Sequence, residues 1–330
     1  MFHVALTDHR FPHVEAERHA IEEAGGQLKV GQTMIEDQLI DLCRDADGVL
    51  TVWAPITKRV IRAMESCRVI VRYGIGVDTI DISAASERGI MVANVPDYCA
   101  DEVSDHALTL LLMLSRQVIS AMALAREDRW SMAKMPRLHR LRGRVLGLFG
   151  AGQIGSLLAS KVTQLGMRVV AYDPYVREIH ARETGAEFVS FGALLERSDF
   201  ISLHAPLNDL TRHVFGEMAF SRMKNTAFII NTARGGLIDE AALIAALDSG
   251  QIAGAGLDVL ESEKAITPER MALVNHAKVI LTPHTAWFSE EARADLQARA
   301  AAQVIAGIRG ERPYGLVNRE IAFNLKEVAD

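Results

Sequence analysis

The chain has 330 residues, of which 49% are hydrophobic and 24% are charged, and its formal net charge is −6. These values are typical of a globular protein with roughly two domains, and the negative charge provides no general attraction to nucleic acid or to an anionic membrane. We therefore expect neither nucleic acid nor a membrane as a partner.

The sequence contains no pattern typical of a targeting, membrane-spanning or metal-binding segment. It begins "MFHVALTDHR", without the basic and apolar regions of a signal peptide. The longest apolar stretch, "ALTLLLML" at 107–114, is shorter than the ~20 residues that cross a bilayer. Cys43, Cys67 and Cys99 are odd in number and widely spaced, so we expect no disulfide framework, no metal site and a reducing, cytoplasmic location.

Short runs rich in β-branched residues alternate with helical patterns along the chain. Before Arg144 they read "HVALTD", "DGVLTV", "VIVRYG" and "IMVANV", and after it "VLGLFG", "RVVAYD", "FISLHAP", "AFIINTA", "GAGLDV" and "VILTPH". Strands separated by helices predict parallel sheets built from βαβ units. About ten such runs are too many for one compact sheet, so we predict two α/β lobes.

Two helical segments connect the predicted lobes. Asp101–Arg116 has acidic residues in its first turn and apolar residues on nearly every face, which indicates a helix buried on both sides. After His284, "TAWFSEEARADLQARAAAQVIAGIRG" is alanine-rich and helical, so it can return to the first lobe.

A glycine-rich turn opens the second lobe in "RVLGLFGAGQIGSLLA", residues 144–159. A strand precedes Gly150, Gly152 and Gly155, a helix ending at Gly166 follows them, and Asp173 lies 18 residues after Gly155. Strand, glycines, helix and acid together predict a dinucleotide site, whereas the glycines alone would fit a turn without a ligand. A carboxylate at Asp173 would accept from a ribose diol and repel a 2′-phosphate, which favours NAD over NADP, although Arg177 weakens that preference.

Three candidate catalytic side chains follow the later strands. Arg234 is in "NTARGGLIDE", Glu263 in "GLDVLESEK" and His284 in "LTPHTAW". Each stretch begins at the carboxyl end of a predicted strand, and that edge of an open α/β sheet is where ligands bind. We therefore expect the three side chains to converge beside a nicotinamide.

These motifs resemble those of the D-isomer-specific 2-hydroxyacid dehydrogenases. The resemblance covers nearly the whole chain and includes "RYGIGVDTIDI" and "GIMVANVPDYCADEVSDHAL" in the first lobe. "YDPY", "NTARGGLIDE" and "PHTAWFSEEA" are also similar to the C-terminal-binding protein branch of this family, whose members are corepressors. The resemblance implies an NAD-dependent enzyme that transfers a hydride between NAD(H) and a small D-2-hydroxy or 2-oxo acid.

The resemblance also implies roles that agree with side-chain chemistry. Arg234 offers a permanently charged fork for the substrate carboxylate and carbonyl oxygen. His284 would be the acid in reduction and the base in oxidation. Glu263 would favour the imidazolium and fix its tautomer, although Glu261 and Lys264 beside it leave open a solvated run of charges.

Further site residues follow from the resemblance. Backbone N–H groups of Tyr73, Gly74, Ile75 and Gly76 are expected to bind the substrate carboxylate, with Trp287 as a further substrate contact. Asp258 is expected to accept from the nicotinamide carboxamide, and His106 to be structural. The remaining expected cofactor contacts are Val103, Gln153, Ile154, His204, Ala205, Pro206, Thr211, Thr232 and Ala233, together with Arg234 and His284.

The predicted architecture is α/β, with two Rossmann-like, doubly wound parallel-sheet domains and a cleft between them. Residues 100–283 are expected to form the NAD-binding domain, and residues 1–99 with 284–330 a discontinuous substrate-binding domain. The apolar helix and the resemblance predict a homodimer.

Two positions depart from the family pattern. Lys264 replaces a proline common in the family, and Ala286 and Trp287 replace a Gly-Gly pair. The alternative function is an NAD(H)-responsive binding protein of the corepressor type with little turnover.

Overall fold

The computed structural model describes residues 1–127, 133, 135, 137–175, 185–263 and 265–321. Arg177 and Lys264 lie outside these ranges, so the expectations attached to them have no structural counterpart. The chain divides into two compact units, Met1–Tyr98 with Ser289–Asp330, and Cys99–Phe288. Each unit is built on a parallel sheet covered by helices, which is the α/β class expected from the strand–helix alternation.

The first unit contains a five-stranded parallel sheet in the order β2-β1-β3-β4-β5. The order reverses at β1, whose neighbours are β2 and β3, and ligands bind at such switch points in open sheets. The strands are β1 Phe2–Leu6, β2 Gly26–Val30, β3 Gly48–Thr51, β4 Val69–Arg72 and β5 Met91–Ala93. The helices before the second unit are α1 Glu15–Glu23, α2 Glu36–Cys43, α3 Lys58–Ala63 and α4 Ile82–Glu87.

The second unit contains a seven-stranded parallel sheet in the order β12-β11-β10-β9-β6-β7-β8. Its order reverses at β6, which pairs with β7 on one side and β9 on the other. The strands are β6 Val145–Phe149, β7 Arg168–Tyr172, β8 Glu187–Phe188, β9 Phe200–Leu203, β10 Phe228–Asn231, β11 Gly254–Leu257 and β12 Val279–Leu281. The helices are α5 Ala100–Ser115, α6 Val118–Arg126, α7 Gln153–Gln164, α8 Phe191–Arg197, α9 Glu217–Arg222, α10 Glu240–Asp248 and α11 Pro268–Asn275.

Helix α12, Glu290–Ile308, belongs to the first unit and packs against α1, β3 and β4. Gly307 allows this packing because a Cβ there would lie 2.6 Å from the Cβ of Val69. The second unit ends at Phe288 rather than at the expected boundary of Pro283. The loop that follows β12 therefore belongs to the same unit as the seven-stranded sheet.

The apolar helix expected at Asp101–Arg116 is α5, and it covers one face of the second sheet. Leu110 and Leu114 lie against the Cα of Gly256 in β11, where a Cβ would approach the Leu110 Cβ to 3.1 Å. The segment after α5 begins with α6, and Gln117, the residue before α6, has a left-handed conformation (φ 50°). Among the described residues, no single helix is long and apolar enough to cross a membrane, while α5 and α6 reach that length and apolarity only together, with a 57° bend between them.

Candidate active site

The glycine turn between β6 and α7 requires glycine at two of its positions for steric reasons. Gly150 has a φ of +94°, and a Cβ there would lie 2.8 Å from the backbone N of Ala205. A Cβ on Gly155 would lie 2.6 Å from the carbonyl oxygen of Gly150, so α7 approaches the turn closely only without a side chain. Apart from its two neighbours in the chain, no described residue has an atom within 4 Å of the Cβ position of Gly152, the residue before the first turn of α7. The turn is therefore tight against its own sheet and open at the helix N-terminus.

Asp173, directly after β7, is bonded to this turn. Its Oδ2 accepts from the backbone N–H of Ala151 at 2.9 Å, and its Oδ1 accepts from that of Tyr175 at 2.9 Å. The carboxylate is half-buried at the carboxyl edge of the sheet. It thus fixes the turn while its remaining lone pairs stay available at the position expected for a ribose.

His204, directly after β9, lies on the other side of the switch point. Its backbone N–H donates to the carbonyl of Phe149 at 2.8 Å, and its Nε2 is 2.9 Å from the hydroxyl oxygen of Ser202. Burial lowers the pKa of His204 to about 4, because the charged imidazolium loses its hydration there. The neutral ring therefore packs against the glycine turn at physiological pH.

The turn after β10 presents Arg234. Asn231 is fully buried and ties the turn together, since its Nδ2 donates to the carbonyl of Arg234 and its Oδ1 accepts from the N–H of Ala233. The Arg234 guanidinium donates to the carbonyl of Ala233 at 2.7 Å. Thr232, at 8% exposure, has a buried hydroxyl with no hydrogen-bond partner among the described residues. A buried hydroxyl without a hydrogen bond costs about 1–3 kcal/mol of stability. A polar ligand group beside Thr232 would supply that hydrogen bond.

Gly235 places the Arg234 turn against the loop that follows β11. A Cβ on Gly235 would lie 1.9 Å from the carbonyl carbon of Leu260 and 2.1 Å from the backbone N of Glu261. Only glycine allows this approach. The loop that bears Arg234 is thus in backbone contact with the loop that bears Glu263.

His284 and Glu263 form a hydrogen-bonded pair, as the sequence predicts. The Nδ1 of His284 is 2.9 Å from both carboxylate oxygens of Glu263. The two side chains are 26% and 33% exposed, so the pair is accessible from solvent. The Nε2 of His284 makes no hydrogen bond with a described residue. An imidazole held at Nδ1 by a carboxylate exposes Nε2 for proton transfer.

Glu261, which precedes Glu263 by two residues, is bonded to side chains other than those of the Glu263–His284 pair. Glu261 accepts from Arg212 and is paired with the Nε2 of His213, each at 2.8 Å. Arg270, on α11, donates to the backbone carbonyl of Glu263 at 3.0 Å. Each carboxylate therefore has its own partners, and Arg270 is a support for the Glu263 loop that the sequence reasoning missed.

Asp258 holds the loop that carries His284 in place through hydrogen bonds. Its buried carboxylate accepts from the backbone N–H groups of Thr285 at 2.9 Å and Ala286 at 2.8 Å, and from the Thr282 hydroxyl at 2.5 Å. Its own carbonyl accepts from the N–H of His284 at 2.8 Å. These bonds hold His284 at a φ of +56°, a conformation that costs a non-glycine residue about 1–2 kcal/mol. The expected bond from Asp258 to a nicotinamide carboxamide stays a prediction.

His106, on α5, extends this support. Its Nε2 is 2.9 Å from the Thr282 hydroxyl oxygen and 3.6 Å from Oδ1 of Asp258. The sequence reasoning treated His106 as structural and did not connect it to the His284 loop. Position along the helix could not reveal the contact, because Thr282 lies more than 170 residues later in the chain.

Tyr73, in the first unit, does not have the free backbone N–H expected of a substrate contact. The N–H of Tyr73 already donates to the carbonyl of Thr51 at 2.8 Å, and its buried hydroxyl donates to Glu17 at 3.0 Å. Tyr73 therefore offers no donor to a substrate, because β4 pairing and the core use both groups.

The next three backbone N–H groups in that loop, at Gly74, Ile75 and Gly76, make no hydrogen bond with the described residues. Gly74 has a φ of +122°, and a Cβ there would lie 1.9 Å from Nη1 of Arg72. Consecutive N–H groups without partners form a concave site that suits a carboxylate.

The remaining expected contacts lie at the same carboxyl edge of the second sheet or beside it. Trp287 packs edge-to-face on Phe288, with ring centroids 5.5 Å apart. The hydroxyl of Thr211 closes its own loop by donating to the carbonyl of Pro206 at 2.7 Å. Val103 is buried in the first turn of α5, while Gln153 and Ile154 begin α7.

The chain is similar to known proteins in sequence and in fold. Residues 108–286 match the family model for the NAD-binding domain of D-isomer specific 2-hydroxyacid dehydrogenases. A glyoxylate reductase from Korarchaeum cryptofilum is 39% identical over 287 residues, which cover 86% of each chain. A D-3-phosphoglycerate dehydrogenase from Methanocaldococcus jannaschii is 38% identical over 90% of this chain and 56% of its own. The crystal structure of a D-lactate dehydrogenase from Aquifex aeolicus, complexed with NAD and lactic acid, superposes with a TM-score of 0.85 at 27% identity, covering 93% of this chain and 96% of that one.

Proposed function

Because the chain belongs to the D-isomer-specific 2-hydroxyacid dehydrogenase family, we propose that His284, Glu263 and Arg234 carry its reaction. The family makes the protein an NAD-dependent oxidoreductase acting on 2-hydroxy and 2-oxo acids. The observation that carries the residue assignment is the contact of His284 Nδ1 with both oxygens of Glu263.

Residues at the carboxyl edge of the second sheet suit NAD. The open Cβ position of Gly152 and the first turn of α7 suit a pyrophosphate, and the unpartnered hydroxyl of Thr232 suits a polar group of the cofactor. When bound, NAD(H) supplies or accepts the hydride. Asp173 favours NAD over NADP, because its carboxylate accepts from a ribose diol and repels a 2′-phosphate. We accordingly assign cofactor binding to the unit Cys99–Phe288, and propose that the other unit contributes donors for the substrate.

The proton is handled by His284. With Nδ1 bonded to Glu263, the protonated ring donates from Nε2 to the carbonyl oxygen of a 2-oxo acid, and in the reverse direction Nε2 takes the proton of the hydroxyl group. Glu263 stabilises the imidazolium and keeps Nε2 directed outward. Asp258 holds the loop, so that the imidazole needs no reorganisation when the reaction occurs.

The substrate carboxylate is assigned to cationic and backbone donors. Arg234 contributes a planar, permanently charged fork, which also polarises the carbonyl oxygen. We also propose the N–H groups of Gly74, Ile75 and Gly76 as donors to a substrate carboxylate. Trp287 then limits the substituent on the acid.

A substrate screen with matched variants tests this assignment. NADH oxidation is followed with glyoxylate, hydroxypyruvate, pyruvate, phenylpyruvate, 3-phosphohydroxypyruvate and 4-methylthio-2-oxobutyrate, for the unmodified protein, His284→Gln and His276→Gln. His276 is a suitable control, because it pairs with Asp248 at 3.3 Å but precedes β12 instead of following it. Loss of turnover with every acid in His284→Gln alone supports the assignment. Equal loss in both variants contradicts it, and NADH binding without turnover by the unmodified protein would favour the corepressor alternative.

We further propose a homodimer in a reducing, cytoplasmic environment. Ile119 and Met122 lie three residues apart on α6 and are each 44% exposed, so they present adjacent apolar side chains that a second copy of the chain would cover. Cys43 and Cys99 are buried thiols. Light scattering of the unmodified protein and an Ile119→Glu, Met122→Glu variant tests the dimer; a monomeric mass for the unmodified protein contradicts it.

A further inference from the structure

A second charged site lies at the amino edge of the sheet in the second unit, opposite the edge that bears His284. It is a cavity of about 530 Å³, within the usual size range of small-ligand sites. Its lining side chains precede strands instead of following them, and five residues of strand separate the two edges by roughly 15 Å. The lining residues are Arg142, Gly143, Arg144, Val145, Arg168, Arg197, Asp199 and Lys224.

The cations of this cavity outnumber the carboxylates that could neutralise them. Among the described residues, Asp199 is the sole acid in the lining, and its Oδ1 accepts from both Arg144 and Lys224 at 3.1 Å. Its Oδ2 accepts from the backbone N–H of Val145 at 2.9 Å. One carboxylate thus serves two cations and a backbone donor, which lowers the pKa of Asp199 despite its burial.

The other three cations, Arg142, Arg168 and Arg197, also have few acidic partners. Arg197 is bonded through both terminal nitrogens to Glu187. Arg168 donates to the carbonyl of Gly143 at 3.3 Å, and its charge helps to lower the pKa of Glu187. Arg142 lies against the turn at Gly166 and makes no hydrogen bond or ion pair with a described side chain. In the part of the chain that the structure describes, two carboxylates, Asp199 in the lining and Glu187 outside it, therefore serve five cations.

A structural role accounts for only part of this cluster. Asp199, Arg144 and Lys224 tie the starts of neighbouring strands together, and that function needs no further charge. Arg142 and Arg168 are exposed at the cavity mouth and add positive charge without an acidic partner in the lining. Like charges concentrated in one cavity raise the free energy of the free protein, and a bound anion relieves this repulsion.

We propose that this cavity is a binding site for a compact polyphosphate, either free or as the phosphate chain of a nucleotide. Planar guanidinium groups match pairs of phosphate oxygens, and several unmatched charges favour a multivalent anion over a single carboxylate. The site is separate from the glycine turn, and it does not depend on the residues assigned to hydride transfer.

Calorimetric titration at constant ionic strength tests the site, with tripolyphosphate as the probe and the protein saturated with NADH so that the glycine turn is occupied. We expect one molecule to bind per chain with NADH retained, and at least tenfold weaker binding to Arg142→Gln, Arg168→Gln. Arg222→Gln is the matched control, since this exposed arginine of the same unit pairs with Glu196 and does not line the cavity.

Three results would overturn the proposal: no heat of binding, displacement of NADH by the probe, or equal affinity in the double variant. Parallel titrations with ATP and adenosine distinguish the two sources of the polyphosphate. Tighter binding of ATP than of tripolyphosphate identifies a nucleotide, equal affinity identifies the phosphate chain alone, and binding of adenosine with comparable affinity contradicts the electrostatic basis of the site.

Discussion

Acidification should destabilise the protein through His204. Its pKa is about 4 in the folded protein, against ~6.5 for an unperturbed histidine in the unfolded chain. Between these values the unfolded chain binds the proton more readily than the folded protein does. The contribution of neutral His204 to the free energy of unfolding is therefore complete above pH 6.5 and declines as the pH falls toward 4. Linkage gives a loss of about 2 kcal/mol at pH 5 relative to pH 8, approaching about 3 kcal/mol below pH 4.

The substitution His204→Gln removes this titration while keeping a polar group near the Ser202 hydroxyl. Urea unfolding of the ligand-free protein at pH 8, 6 and 5 gives the free energy of unfolding for both proteins. Other groups titrate equally in the two, so the decline between pH 8 and pH 5 should be about 2 kcal/mol smaller in the variant. His19→Gln, at an exposed position on α1, is the control and should follow the unmodified protein. Parallel pH dependences for His204→Gln and the unmodified protein would refute the reasoning.

Three further substitutions test the candidate site. His284→Gln should lower kcat by about 100- to 10,000-fold with NADH affinity nearly unchanged by fluorescence titration, and a variant that keeps a tenth of the rate would place the acid elsewhere. Asp258→Asn replaces one acceptor oxygen by a donor that faces the loop N–H groups, so kcat should fall together with about 1–3 kcal/mol of stability; unchanged kcat would mean that the loop holds its shape without the carboxylate. Gly74→Ala should raise KM for the 2-oxo acid, because a φ of +122° strains any side chain at this position and the methyl group would displace the guanidinium of Arg72, and an unaltered KM would remove Gly74 from substrate binding.

The sequence was sufficient for the features that depend on local pattern. Strand–helix alternation predicted the parallel sheets, and the end of α7 at Gly166, with a φ of +77°, follows from the preference of helices to end at glycine. The pairing of His284 with Glu263 was predictable because parallel strands bring their carboxyl ends to one edge.

Features that depend on contacts between distant segments were not predictable in this way. Neither the link from His106 to Thr282 nor the support of the Glu263 backbone by Arg270 has a periodic signal. The same limit explains Tyr73, which belongs to a loop that suits a substrate but has its donors used by β-sheet pairing and by Glu17. The residues that neighbour Tyr73 in the sequence do not indicate those partners.

The close approach at Gly235 has a consequence for evolution and engineering. Its Cα is pressed against the peptide between Leu260 and Glu261, so the backbone of the Arg234 loop forms part of the packing surface of the Glu263 loop. Insertions or bulky substitutions in either loop would displace Arg234 and Glu263 together. Mutations that adapt this enzyme to new acids should therefore show strong epistasis between the two loops, and libraries that vary both at once should yield active variants that neither single-loop library contains.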